Sequence, residues 1–292
     1  MKIGIVGLGL MGSNLCLRLL RKGFQVNVNN RDLSKSLLLE KKGAKLCNSP
    51  KDLADCSDFI ITCVTNFEAV TRVFFHKDGI YDTENKNVIV SDFSTISPNE
   101  SIYCYQKFKE NNISMMSIPV MGGPNAALTG KLVPIVAGEE TTFKKIKKVL
   151  EEVGNPVFYI GNKVGSANAI KLALNLNIGI IAMALSEGLL LSNQYEIDPN
   201  LYLDILNSTN FKTGMSKHKG PKMVKDDYFP SFYLKHMKKD LGLVMEAAKE
   251  KELSLPITGL VFHLYNYAAR SSLADLDYTG IYKFLRKING IE

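Results

Sequence analysis

The chain opens on an uninterrupted apolar run over 3–6, which predicts a buried strand. The period then changes. Leu15, Leu19 and Leu20 fall on one side of a helical pattern and Arg18 and Arg21 on the other, so an amphipathic helix follows. The same alternation recurs through the first half of the chain. Further strands are predicted at 24–28, near Leu46, and at 59–64, 88–90, 114–118, 132–137 and 157–160. Helices are predicted from Leu33, from Pro50, and over 67–75, 98–111 and 141–153. This order implies a mostly parallel α/β sheet, with the last two strands completing it. After Gly161 no convincing strand pattern remains. Helical patterns cover 168–192, 199–206, 221–225, 234–250, 258–269 and 277–288. The expected architecture is a Rossmann-type α/β N-terminal domain over 1–162, followed by an all-α C-terminal domain over 163–292.

The helix over 168–192 is unusually long, and its apolar part, 178–191, invites a membrane reading. Lys171, Asn175, Asn177, Ser186 and Glu187 argue against it, because polar groups this frequent are costly in lipid. A buried helix joining two domains, and an oligomer interface built from the helical half, explain it better. The expectation is a homodimer or homotetramer with no membrane partner.

Composition adds little to this. Of 292 residues, 46% are hydrophobic and 22% charged, as in ordinary globular proteins. The five cysteines, Cys16, Cys47, Cys56, Cys63 and Cys104, contain no C-x-x-C pair. An odd, scattered set fits buried thiols in a reducing compartment, and neither a disulfide frame nor a metal site. Beginning at a core strand, the chain is expected to lack a leader and to be cytoplasmic. The net charge of +7 could serve nucleic acid, but it equally attracts small anions. The run Lys144, Lys145, Lys147 and Lys148 reads best as a solvated helix face, so no nucleic-acid partner is expected.

Between the first strand and its helix, Gly7, Gly9 and Gly12 stand in G-x-G-x-x-G spacing, with Leu8, Leu10 and Met11 between them. In that context the spacing is a dinucleotide fingerprint. Gly7 permits the tight turn, Gly9 lets backbone approach a pyrophosphate, and Gly12 lets helix pack on strand. NAD-binding chains carry an acid near the end of the second strand. Here the residues are Asn29, Asn30, Arg31 and Asp32. A guanidinium at Arg31 matches a 2′-phosphate, so NADP is favoured, with NAD possible. Asp32 reads as the cap of the next helix. The strand over 59–64 ends at Val64, Thr65 and Asn66, at the carboxyl edge where doubly wound sheets bind ligands.

Two helical stretches carry further chemistry. Lys171 and Asn175 lie four apart, on one helix face. A buried lysine loses part of its proton affinity and can serve as acid and base; a lysine snorkelling near the helix start is an equally good reading. Lys235 and Lys239 share another face and, on charge alone, read as solvated. His236 has no second ligand at metal spacing, so no metal is expected.

Together these segments resemble the β-hydroxyacid dehydrogenases, which include 3-hydroxyisobutyrate dehydrogenase and the glyoxylate/succinic semialdehyde reductases. Four motifs carry the resemblance along the whole chain: Gly7-Leu8-Gly9-Leu10-Met11-Gly12, Asp92-Phe93-Ser94-Thr95, the segment 166–175 with Lys171 and Asn175, and the segment 234–240 with Lys239. The resemblance implies a nicotinamide-dependent oxidoreductase interconverting a short hydroxy acid and its aldehyde or keto acid. Lys171 would be the general acid/base and Asn175 a substrate ligand. Lys239 would lie over nicotinamide and substrate, Thr95 would contact the ribose or substrate, and Val64, Thr65 and Asn66 would line the cofactor. The family usually has Ser-Gly-Gly where this chain has Met121, Gly122 and Gly123. The glycine amides remain for a substrate carboxylate, but a hydroxyl donor is lost, worth roughly 1.5–3 kcal/mol. An imine reductase, or a non-catalytic dehydrogenase-like binding platform, are the alternatives on the same architecture.

Overall fold

The apolar run at the N-terminus becomes the central strand of a sheet buried on both faces. A computed structural model describes residues 1–291. The chain divides into two compact units, Met1–Lys171 and Leu172–Glu292. The first begins with β1 (Lys2–Val6), α1 (Leu10–Arg21), β2 (Gln25–Asn29), α2 (Leu33–Glu40), β3 (Lys45–Leu46), α3 (Pro50–Asp55) and β4 (Phe59–Thr62). It continues with α4 (Phe67–Phe75), β5 (Ile89–Asp92), α5 (Pro98–Glu110) and β6 (Ser114–Ser117). The remaining elements are β7 (Val120–Met121), α6 (Pro124–Thr129), β8 (Val133–Val136), α7 (Glu140–Val153) and β9 (Phe158–Tyr159).

Six strands form one sheet in the order β3-β2-β1-β4-β5-β6, every pair parallel. The order reverses between β1 and β4, where Val6 faces Thr62 and the carboxyl ends of the two strands lie side by side. Such a switch point opens a crevice for a ligand. Local sequence starts the helices around it. Asp32, Ser49, Asn66 and Ser97 each accept a backbone N–H at the start of α2, α3, α4 and α5, and Ser97 with Glu100 forms a full capping box. Asp32 is thus the helix cap its position suggested.

One expectation is corrected. The strands over 132–137 and 157–160 do not extend the parallel sheet. They form a three-stranded sheet of their own, β7-β8-β9, in which β7 and β8 are antiparallel, joined to the end of β6 by an antiparallel bridge between Ser117 and Ala137. The cause lies in the connection. Gly122 (φ +120°) and Gly130 (φ +70°) turn the chain at either end of α6, so β8 returns against β7 instead of crossing over. On α7 the four lysines are exposed, while Ile146, Val149 and Leu150 enter the core, as a solvated face requires.

The second unit is helical, as expected. The elements are α8 (Ser166–Gln194, whose first turns belong to the first unit), α9 (Pro199–Ser208), α10 (Gly214–His218), α11 (Gly220–Val224), α12 (Leu234–Glu250), α13 (Pro256–Ala269) and α14 (Ile281–Ile288). Among the described residues α8 is the one helix long and apolar enough to cross a membrane by length and composition. Its Ala182 and Met183 instead pack with Met237, Leu241, Val261 and Tyr265 of α12 and α13.

A buried carboxylate staples this unit. Asp277 is 1% exposed and accepts from the Lys219 ammonium at 2.7 Å, from Ser231 N at 2.9 Å and from Thr279 Oγ1 at 2.9 Å. Burial alone would raise its pKa, but the Lys219 ion pair and these donors hold it below the usual aspartate value. A lowered folded-state pKa gives stability that is complete above the unfolded value of about 4 and is lost as pH falls through the folded one. Asp277→Asn is expected to lower stability at neutral pH by about 3 kcal/mol, because it leaves Lys219 half-buried beside a neutral group. The same variant should flatten the acid limb of the unfolding curve below about pH 4. Denaturant melts at pH 7 and pH 3.5, run on both proteins, check both effects.

Candidate active site

At the carboxyl ends of β1, β4 and β5 the first unit brings most of the expected cofactor residues together. Gly7 (φ +95°) makes the turn, and a Cβ there would collide with the Cys63 carbonyl after β4. A Cβ on Gly12 would strike the Gly7 carbonyl oxygen, so α1 seats directly on the loop. A Cβ on Gly9 would meet nothing within 4 Å. The three glycines therefore divide into two that pack protein against protein and one that faces open space. Leu8 is buried, Leu10 exposed and Met11 half-buried. Burial pushes the Cys63 thiol, beside this loop, up to about 12.

Asn30 organises the end of β2. Its Oδ1 accepts from Leu8 N at 2.9 Å and its Nδ2 donates to the Asp32 carbonyl at 3.0 Å. Arg31 lies exposed between β2 and α2. The Asp92-x-Ser94 motif proves to be a staple. Asp92 Oδ1 accepts from Thr62 Oγ1 at 2.7 Å and from Ser94 N at 3.1 Å, and Ser94 Oγ accepts from Val64 N at 3.0 Å. Those bonds hold the ends of β4 and β5 in register and set the backbone at Val64 and Thr95. Thr65 and Asn66 are exposed, and Asn66 Oδ1 is used in capping α4 at 3.0 Å.

Lys171 is the last residue of the first unit, and its ammonium is oriented from β7. It donates to the Val120 carbonyl at 2.8 Å and to the Met121 thioether at 3.3 Å. Gly122 follows with its positive φ, and an added Cβ there would press on Leu132; Gly123 faces open space. One contributor was not anticipated. Asn168, 2% exposed, accepts from Ser117 Oγ at 2.5 Å and donates to the Ile96 carbonyl at 3.3 Å, which fixes the start of α8 to β6 and to the loop after β5. The only signal in the sequence is an amide one turn before Lys171.

Asn175 and Lys239 belong to the second unit, where they meet at a common carboxylate. Asn175 Nδ2 donates to Asp240 Oδ2 at 2.5 Å, and the Lys239 ammonium lies 2.7 Å from Asp240 Oδ1 as an ion pair without an aligned hydrogen bond. Asp240 is 1% exposed. It sits on the buried stripe Leu234, Met237, Leu241 and Val244 of α12, and an acid on that stripe was the available signal. Lys235 is the solvated member of the pair, bonded to Asp275 at 2.5 Å. Burial and the Lys239 charge depress the His236 pKa, so this ring is neutral near pH 7. Among the described residues no group of three or more His, Cys, Asp or Glu could hold a metal ion.

Residues 2–161 match the model for the NAD binding domain of 6-phosphogluconate dehydrogenase. Residues 165–285 match the model for the NAD-binding of NADP-dependent 3-hydroxyisobutyrate dehydrogenase. Glyoxylate/succinic semialdehyde reductase 1 of Arabidopsis thaliana is 32% identical over 283 residues, covering 96% of this chain and 97% of that one. The chain belongs to the β-hydroxyacid dehydrogenase family. Among solved structures it is similar to 3-hydroxyisobutyrate dehydrogenase from Salmonella typhimurium, with 26% identity, a TM-score of 0.88 and coverage of 97% and 99% of the two chains. It is also similar to Psf3, solved in complex with NADP+ and 2-OPP, with 25% identity, a TM-score of 0.89 and the same coverage.

As a β-hydroxyacid dehydrogenase the protein is an oxidoreductase that uses NAD(P), and its own residues fit that group. Alone among the first five helices, α1 lacks a side-chain cap, and its first turn carries no acid. Its N-terminal amides and the open face of Gly9 make a cradle suited to a pyrophosphate.

Proposed function

We propose that the protein is an NADPH-preferring reductase of a short aldehyde acid or keto acid, also running in reverse as a β-hydroxyacid dehydrogenase. The reading is carried by the ammonium of Lys171, aimed by the Val120 carbonyl and the Met121 thioether. Bound NADPH supplies the hydride. Lys171 Nζ delivers a proton to the carbonyl oxygen in reduction and removes it from the hydroxyl in oxidation. The Val120 carbonyl and the Met121 thioether orient the amine. Asn175 binds substrate and is itself oriented by Asp240, which fixes which end of the amide is presented. Lys239 adds positive charge for an acidic substrate. Gly122 and Gly123 offer backbone amides to a carboxylate, and Met121 brings a thioether where the resemblance led us to expect a hydroxyl.

NADPH preference is supported by Arg31, exposed beside the dinucleotide loop and with no acid in the position that would hold a ribose diol. The test is a spectrophotometric panel of glyoxylate, succinic semialdehyde, methylmalonate semialdehyde and cyclic imines, each with NADPH and with NADH. An aldehyde acid is expected to be reduced with NADPH as the better donor. Arg31→Ala is expected to lower kcat/KM for NADPH roughly tenfold, the worth of a charge-assisted contact, and to leave NADH values unchanged. Turnover of imines alone would replace the substrate half of the proposal.

A further inference from the structure

Two thiols lie face to face in the first unit, on the far side of β2 from the glycine loop. The sulfurs of Cys47 and Cys56 are 3.6 Å apart, and both residues are free. Cys47 is buried immediately after β3, and Cys56 is half-buried where it ends α3. A disulfide has its sulfurs about 2.04 Å apart, so closing the pair needs a movement of roughly 1.5 Å.

The surrounding hydrogen bonds determine what that movement would disturb. Asn29 Nδ2 donates to the Cys47 carbonyl at 3.0 Å, and Asn27 Nδ2 donates to the Cys56 carbonyl at 3.0 Å and to Ser57 Oγ at 2.9 Å. Cys47 N also donates to the Val28 carbonyl at 2.9 Å. β2 thus grips both cysteines through alternate side chains on one face of the strand. The residue after β2 is Asn30, whose Oδ1 holds Leu8 N of the dinucleotide loop.

We propose that Cys47 and Cys56 form a reversible disulfide, a redox modification site whose closure weakens dinucleotide binding through the asparagines of β2. The oxidant is a small-molecule disulfide such as glutathione disulfide. The Cys56 thiolate attacks one sulfur of that disulfide and expels one glutathione thiolate, which takes up the proton Cys56 released. Cys47, on losing its own proton, attacks the Cys56 sulfur and expels the second glutathione as a thiolate, which takes up that proton. Two protein thiols are oxidised and one disulfide is reduced to two thiols, so atoms and electrons balance. Burial and its Cys56 neighbour push the Cys47 thiol up to about 12, which makes the second step the slow one.

The full-length protein is equilibrated in glutathione buffers of rising oxidised fraction, quenched in acid, alkylated and weighed. The expected result is a species lighter by two hydrogens, with one cross-linked peptide pair holding residues 47 and 56. Cys16, Cys63 and Cys104 stay alkylated. The NADPH dissociation constant is expected to rise at least about fivefold, the low end of ordinary coupling energies, and to recover with dithiothreitol. Cys47→Ser should stop at a single glutathione on Cys56, and Cys56→Ser should leave both the mass and NADPH affinity unresponsive to glutathione disulfide. Either of two results overturns the proposal: both cysteines alkylated at the fully oxidised end, or a 47–56 cross-link with NADPH affinity unchanged. The mass readout is independent of the function proposed above, so a failure there is distinct from a failure of that reading.

Discussion

Replacing Lys171 by alanine is expected to reduce kcat by roughly 10²–10⁴-fold, the usual contribution of a positioned general acid, while NADPH still binds. The variant loses the donor to the Val120 carbonyl and the Met121 thioether, which lowers stability by about 1 kcal/mol and leaves the fold intact. Steady-state rates with the substrate found in the panel, together with NADPH titration of the same preparation, separate the two effects. Lys171→Arg makes the test sharper. It keeps a cation at the site, but a guanidinium does not give up its proton in the working pH range. If Lys171 acts only by attracting a carboxylate, arginine restores most of the rate; if it transfers the proton, arginine is nearly as slow as alanine. Near-normal turnover in the alanine variant would defeat the assignment of the proton to this residue.

The residues to which this chemistry is assigned were legible in unequal measure. Lys171 and Asn175 stood out by polarity inside an apolar helix, where a snorkelling lysine was an equally good reading until the family resemblance was added, and Gly7, Gly9 and Gly12 stood out by spacing between two strongly periodic elements. Local signals of that kind survive folding because helix and strand periods fix which side chains share a face. Asp240 was harder to see. Beside three lysines and a histidine its segment reads as a charged surface, and only the phase of Leu234, Met237, Leu241 and Val244 places it inside. Asn168 was invisible for a different reason. Its partners, Ser117 and the Ile96 carbonyl, are 51 and 72 residues away, and no local pattern encodes such a meeting. The three-stranded sheet was misjudged for a related reason. β7 has two residues and α6 has six, too few to show a period, and the reversal they create rests on the backbone angles of Gly122 and Gly130. The Cys47–Cys56 contact follows from the parallel pairing of β2 with β3, which brings the residue after β3 near the end of α3.

The glycine loop offers the other large effect, in a form that separates binding from folding. Gly9 has φ −74°, which any residue adopts, and an added Cβ meets no protein atom within 4 Å. Gly9→Ala is therefore expected to melt like the parent. Its methyl projects into the space where a pyrophosphate must approach the first amides of α1, so NAD(P) affinity should fall by roughly tenfold or more, as when a charge-assisted hydrogen bond is lost. Gly12→Ala acts through the other mechanism. Its methyl would overlap the Gly7 carbonyl oxygen, and relief requires moving α1 away from the loop, against Leu15 and Leu19 in the core. Overpacking of this kind lowers stability by about 1–3 kcal/mol, and the displaced loop should lose cofactor affinity as well. Thermal melts with and without NADPH distinguish the pair. The parent should be stabilised by NADPH, Gly9→Ala should start at the parental melting temperature and gain little, and Gly12→Ala should start lower. An alanine at position 9 that binds NADPH with parental affinity would mean that the dinucleotide does not lie against this face of the loop, and the reading of the whole N-terminal unit as its cradle would fall with it.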